Sequence, residues 1–274
     1  MDGYDRPERT VTRVWMVGCG TMGGAMLRQW IASGVLAPGN VDVVNRADRL
    51  LPAGVRQARD VPSGALPDLV ILAMKPQQLD EVAGRFAERL RGVPALVSIL
   101  AGVEEHALAA RFQAGAIVRA MPNLPVGIGK GVVALDSSSA DPALRKAITT
   151  VMAALGLVEW VDPAQFDAVT ALAGCGPAFL YRFIDALAAA GVAQGLPEDQ
   201  ANRLALATVE GSALLAAAAD VPPGTLADRV ASPDGSTRKG LDVLDQGQAL
   251  VALLRATVAA SAARNAEMAA EARR

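Results

Sequence analysis

The sequence predicts two unlike parts: an α/β domain on a parallel sheet, followed by an all-helical domain. Three observations carry this. Short apolar runs alternate with helix-compatible stretches up to residue 162. Several runs are solidly apolar, such as VILAM at 70–74, as expected of strands covered on both faces. After Asp162 no strand pattern recurs, and the segments read as helices with Pro or Gly at their boundaries.

In chain order, VWMV predicts a first strand, closed by a glycine turn, and the stretch 22–32 a helix after it. VDVV at 41–44 is the second strand and the solid run 69–74 the third. Pro76 stops that strand and opens helix 77–90 in its first turn. Strand 95–100, helix 104–112 and strand 116–120 follow, then strand 132–135, helix 142–155 and strand 157–161. Helices are expected at 177–193, 197–219, 222–230, 236–244 and 249–270. The expected division is a flexible tail at 1–12, a sheet domain at 13–162 and a helical domain at 163–274.

The strongest local signal is RVWMVGCGTMGG at 13–24. A strand runs into Gly18-x-Gly20-x-x-Gly23, and a helix starts at once. Gly18 allows the turn, Gly20 lets backbone approach a pyrophosphate, and Gly23 lets the helix lie close on the strand. The helix N-terminus, with Thr21 and Met22, offers unpaired N–H groups to an anion. This order of elements makes the first domain Rossmann-type, with a dinucleotide as its ligand.

Asn45-Arg46 ends the second strand, where NAD sites usually carry an acid that accepts from the ribose 2′-hydroxyl. An arginine there favours a 2′-phosphate, so NADPH is preferred over NADH; the plain alternative is a solvated loop arginine. Ala73, Lys75 and Pro76 punctuate the third strand at the C-terminal sheet edge, where open α/β sheets bind ligands. Lys75 is one of four lysines, and is either a cofactor contact or a surface lysine. Asn123, in Met121-Pro122-Asn123, is either a partner for the nicotinamide carboxamide or a turn residue.

Composition narrows the partners. The chain has 274 residues, 52% apolar, and a net charge of −2, which argues against a nucleic-acid surface. Aromatic residues are 4%, too few for base-stacking platforms. No apolar run reaches the ~18 residues of a membrane span. The start, MDGYDRPERT, is charged and lacks the apolar stretch of a secretory signal, so a cytoplasmic protein is expected. Cys19 and Cys175 each stand alone in a glycine-rich turn, without a metal spacing, and are expected to be thiols. The alanine-rich, small-sided helices bury little area by themselves, so a homodimer or larger homo-oligomer through them is expected.

The pieces VGCGTMGGAM, VVNR, VILAMKPQ, VSILAGV, VRAMPNLPVGIGKG, FDAVTALAGCGPAFLYRFIDALAAAGVAQGLP and VASPDGSTRKGLDVLDQG together resemble the pyrroline-5-carboxylate reductase family. The resemblance runs from the glycine turn to near the C-terminus. It implies NAD(P)H-dependent reduction of the cyclic imine 1-pyrroline-5-carboxylate to L-proline, the last step of proline synthesis. It also implies a helical domain that builds dimers and often larger rings. Three loops depart from the family. Its Ser-Gly-Ser-Gly-Pro-Ala-Tyr is here Ala173-Gly174-Cys175-Gly176-Pro177-Ala178-Phe179. Its Met-Pro-Asn-Thr-Pro-Ala has Leu124 and Val126, and its Ser-Pro-Gly-Gly-Thr-Thr has Asp234 and Ser236.

Ser232-Pro233-Asp234-Gly235-Ser236-Thr237 lies just before a helix. Gly235 is expected to relieve backbone strain, and the N–H groups at Gly235, Ser236 and Thr237 to form a carboxylate site. A cap by Ser236 or Thr237 is compatible with this. The resemblance implies Thr237 as the hydroxyl on the ring nitrogen and Asp220 as a carboxylate near the reacting centre, with Cys175 and Ser232 on the substrate side. Asp220 reads equally as a surface residue ending a helix.

No Ser-His-Asp or Cys-His set can be assembled, and the one histidine, His106, follows two glutamates on an amphipathic helix. Imine reduction tolerates this, because the imine can arrive protonated and then needs geometry and one partner for nitrogen. A ketone reductase would need a donor to the developing alkoxide. Hydroxyacid dehydrogenases of this plan carry a lysine in the helix after the second glycine turn, and 177–190 has none. The remaining alternatives are a reductase of another cyclic imine and a dinucleotide-binding protein without turnover.

Overall fold

The structure, a computed structural model, describes residues 10–272. The expected tail lies outside the described residues up to position 9. Thr12, at its end, is held by Asp68, which accepts from its N–H and its hydroxyl at 2.9 Å each. The chain divides into two compact units. One comprises the residues up to Cys175 together with those from Ala262 onward; the other is Gly176–Ser261.

The first unit is an eight-stranded sheet in the order β3-β2-β1-β4-β5-β6-β7-β8. Its strands are β1 Val14–Val17, β2 Val41–Val44, β3 Arg56–Ala58, β4 Leu69–Leu72, β5 Ala95–Ser98, β6 Ile117–Pro122, β7 Gly131–Asp136 and β8 Gly156–Trp160. The solid apolar strands are covered on both sides. Val14 and Met16 pack into one core with Met26 and Trp30, whereas Trp15 and Val17 pack into the other with Phe86 and Leu90. Helices α1 Thr21–Ala32 and α4 Pro142–Ala153 pack on the first face, and the Trp30 indole N–H donates to the Val151 carbonyl at 2.9 Å. On the other face lie α2 Leu79–Phe86 and α3 Glu105–Ala109.

Two departures from the expected sheet have plain causes. β3 was not expected: it is three residues long, with Arg and Gln in it and no apolar pattern. It is held at the sheet edge by Arg56, which donates to both oxygens of the buried Asp42 at 2.5 and 2.8 Å. The sheet is also not fully parallel, since β6 and β7 pair antiparallel, Ala120 opposite Leu135. Their connection, 123–130, is too short for a crossover, which takes about a dozen residues or more.

The two compact units meet after Cys175, so the first thirteen residues of the expected helical domain, 163–175, pack with the sheet unit. Phe166, in α5 Phe166–Val169, packs with Met121 and Ala134 of β6 and β7. A single π turn, Thr170–Gly174, follows, and the Asn123 side-chain amide donates to the Ala173 carbonyl within it at 2.9 Å. These contacts fasten 163–175 to the sheet.

The second unit contains α6 Gly176–Ala193, α7 Glu198–Ala218, α8 Pro223–Val230, α9 Ser236–Asp245 and the first half of α10 Ala249–Ala272. α6 and α7 pack through Ala188, Ala201 and Ala205 beside Ile184. Small side chains thus bring the helices together, while Leu180, Phe183, Leu206, Leu214 and Leu215 remain exposed. The helical run 163–193 is long and apolar enough to cross a membrane by length and composition, although Asp167, Arg182 and Asp185 interrupt it.

Candidate dinucleotide site

β1 lies between β2 and β4 and ends at Gly18. Successive strands leave it in opposite directions, so a crevice opens at its C-terminal end, where such sheets hold ligands. The glycine turn is fastened to both neighbours: the Gly18 N–H donates to the Val44 carbonyl and the Ala73 N–H to the Val17 carbonyl, each at 2.8 Å. Gly18 has φ +88°, and a Cβ on it would stand 2.7 Å from the Ala73 carbonyl and the Met74 nitrogen. A Cβ on Gly23 would stand 3.0 Å from the Ala73 Cβ, so Gly23 sets how closely α1 lies on β4. Around Gly20 a Cβ would meet nothing within 4 Å, and that space is where a ligand can approach the backbone. Gly20 caps α1 without a side chain, which leaves the first-turn N–H groups facing the crevice.

A cavity of about 440 Å³ covers this turn. Gly18, Gly20, Thr21, Met22, Gly23, Asn45, Arg46, Ala73 and Lys75 all line it. Among the described residues its charged rim is Arg46, Arg49, Arg59, Lys75 and Arg85, with Glu81 as the one carboxylate. Sequence reasoning found Arg46 and Lys75 and missed the others. Arg59 follows the unread strand β3, and Arg85 lies on α2, so neither carried a local signal. Arg46 pairs with Glu81, Arg59 with Asp48 at 3.0 Å and Arg85 with Asp60 at 3.3 Å. Cys19 also lines the cavity, but burial pushes its thiol pKa up, more than the nearby Arg28 and Arg49 pull it down. It stays a protonated packing residue.

A second cavity, about 410 Å³, adjoins the first; Met22 and Ile99 line both. Cys175, at the end of the π turn, lines it with Met121, Pro122 and Thr170. Arg119 lies on its wall, 4.0 Å above the Phe166 ring and 3.5 Å from Asp136.

Other expected residues stand elsewhere. Pro76 opens the short 3-10 turn Pro76–Gln78 and borders a separate cavity. Asn123 is buried and lines neither of the two adjoining cavities. Its oxygen accepts from the Val132 N–H at 2.8 Å and its amide donates to Ala173, so it is a structural clamp between β7 and the π turn.

In the second unit, Ser232, Ser236 and Thr237 are exposed and Gly235 is half-buried. Gly235 caps α9 without a side chain, so neither Ser236 nor Thr237 is the cap. The strained position is not Gly235, at φ −71°, but Asp234, at φ +58°, where the family's loop has a glycine. Gly235 is needed for space, since a Cβ there would stand 2.5 Å from the Ser232 hydroxyl oxygen. Its own N–H donates to the Ser232 carbonyl at 3.0 Å, so the open donors of this turn are those of Ser236 and Thr237. Arg238 steadies the turn by pairing with Asp228 at 2.8 Å. Asp220 is exposed between α7 and α8. Among the described residues, no group of three His, Cys, Asp or Glu stands ready for a metal.

A glycine turn beneath a cationic cavity, on a sheet continued by a helical unit, defines a dinucleotide-dependent reductase class. Comparison with known proteins narrows this. The family model "Pyrroline-5-carboxylate reductase dimerisation" matches residues 163–268, and "NADP oxidoreductase coenzyme F420-dependent" matches 13–102. The chain is 33% identical to a pyrroline-5-carboxylate reductase of Arabidopsis thaliana, covering 91% of this chain and 93% of that one. It is 36% identical to that of Aquifex aeolicus, covering 85% and 89%. The solved pyrroline-5-carboxylate reductase of Coxiella burnetii superposes with a TM-score of 0.87 at 30% identity, covering 94% and 99%. This chain belongs to the pyrroline-5-carboxylate reductase family.

Proposed function

We propose that this chain reduces 1-pyrroline-5-carboxylate to L-proline with NADPH, accepting NADH less well, as the final step of proline synthesis. The observation that carries the reading is the cavity over Gly18–Gly23, open at Gly20 and rimmed by five cationic side chains, in a chain of this family. The residues present fit a dinucleotide: the α1 N-terminus meets the pyrophosphate and Arg46 the 2′-phosphate. The bound cofactor supplies the hydride.

The protein's own part is binding, orientation and one polar contact. The open N–H groups of Ser236 and Thr237 take the substrate carboxylate at the positive end of α9. The Thr237 hydroxyl holds the ring nitrogen, and Ser232 packs the turn against Gly235. The imine arrives protonated, its carbon gains the hydride and the nitrogen keeps its proton as the C=N π pair becomes the nitrogen lone pair, so no buried acid is required. Cys175 and Met22 shape the cavity that adjoins the dinucleotide cleft. Asp220, which the resemblance implies as a carboxylate near the reacting centre, is exposed between α7 and α8, and the mechanism gives it no step.

We read the assembly as a homodimer or larger homo-oligomer through the helical unit. Its support is the apolar surface of α6 and α7, including Leu180, Phe183, Leu206 and Leu214, and the dimerisation match. A cytoplasmic location agrees with Cys19 and Cys175 standing outside any disulfide.

The test is loss of reduced-cofactor absorbance with a panel of cyclic imines, each with NADPH and NADH. Pyrroline-5-carboxylate with NADPH should turn over fastest, and 1-pyrroline, which lacks the carboxylate, much more slowly. Faster reduction of another imine would reassign the substrate. Cofactor binding with no turnover on any imine would leave a binding protein in place of an enzyme.

A further inference from the structure

The cationic rim of the cleft has one acidic member, and it stands on the arginine that matters most. Glu81, in the first turn of α2, pairs with Arg46 through Nη2 and Oε2. Both side chains are more than half exposed, 59% and 57%, so the pair is adjustable rather than locked by packing. Arg59 and Arg85 also have carboxylate partners, Asp48 and Asp60, but neither acid lines the cavity. Glu81 does.

We propose that Glu81 is a specificity-determining residue that competes with the cofactor's 2′-phosphate for Arg46. This rests on reading the cavity as a dinucleotide cleft. A carboxylate on a guanidinium occupies the donors that a phosphate would use. For a 2′-phosphate to bind, Arg46 must release Glu81, and the freed carboxylate is then left beside a dianion. A ligand with a 2′-hydroxyl asks neither of these. The pair therefore penalises the phosphorylated ligand selectively and narrows the preference that Arg46 creates. Glu81 acts on recognition and touches no reacting atom.

The experiment compares two nucleotides that differ only by that phosphate, adenosine 2′,5′-bisphosphate and adenosine 5′-monophosphate, by titration calorimetry at low salt. Glu81→Gln should tighten the bisphosphate by about three- to tenfold, the scale of one exposed ion pair plus one repulsion. Binding of the monophosphate should change by less than about twofold. Glu81→Ala should reproduce the gain with an unrelated side chain. In an Arg46→Gln background, binding of the bisphosphate should be weaker and the gain from Glu81→Gln should shrink to the repulsion alone, about twofold or less. An unchanged or weakened bisphosphate affinity in both Glu81 variants would overturn the inference. So would a gain that is undiminished without Arg46. If the unmodified protein bound neither nucleotide, the dinucleotide reading would fall and Glu81 with it; if it bound both and Glu81 made no difference, only this inference would fall.

Discussion

Gly18 and Gly20 lie two residues apart in one turn, yet the structure gives them opposite kinds of work, and alanine at each should separate them. Gly18→Ala puts a side chain at φ +88° with its Cβ 2.7 Å from three backbone atoms of Ala73 and Met74. The left-handed conformation costs about 1–2 kcal/mol and overpacking about 1–3 kcal/mol. Both burdens fall on the folded state, because those are backbone atoms of the segment just after β4, which the Ala73 N–H to Val17 carbonyl bond holds in place. Destabilisation of about 2–5 kcal/mol follows, seen as a melting midpoint lower by roughly 5–15 °C. Gly20→Ala meets nothing within 4 Å and keeps an ordinary φ of −78°. Its stability should stay within about 1 kcal/mol, the loss of a glycine helix cap. Its methyl group, however, fills the space reserved for pyrophosphate, so NADPH binding should weaken by at least about tenfold, or ~1.4 kcal/mol. Differential scanning fluorimetry and cofactor fluorescence titration read the two quantities. Gly20→Ala with NADPH affinity equal to that of the unmodified protein would refute the placement of the pyrophosphate. Gly18→Ala with an unaltered melting midpoint would refute the packing argument.

Two further outcomes follow from the helical unit. Thr237→Ala removes the hydroxyl but leaves the backbone donors of α9, so turnover should fall about ten- to a hundredfold while cofactor affinity hardly changes; unaltered turnover would remove Thr237 from the mechanism. Light scattering at micromolar concentration should give a multiple of the chain mass, and Leu214→Asp, a charge in an exposed apolar face of α7, should shift it towards one chain and lower activity; a monomeric mass for the unmodified protein would refute the assembly.

Much of this molecule is legible in its sequence for a physical reason: its signals are local. A strand buried on both faces is apolar throughout unless a partner meets its polar group, so VWMV and LVIL declare themselves. A tight turn against β4 needs glycine at 18 and 23, and both are there. Each helix of the second unit starts within two residues of a Pro or Gly. What the sequence conceals depends on partners far along the chain. β3 exists because Arg56 finds Asp42, not because its three residues prefer to be a strand. Residues 163–175 join the sheet unit because Phe166 reaches Met121 and Asn123 reaches Ala173. Asn123 reads as a free amide in isolation, and only folding commits both ends of it to the backbone. The rim of the cleft is the clearest case. Arg46 was readable from its place after β2, but Arg59, Arg85 and Glu81 come to it from segments up to 39 residues away. Charges on exposed side chains leave no periodic trace in a sequence, so their convergence is a property of the tertiary structure alone.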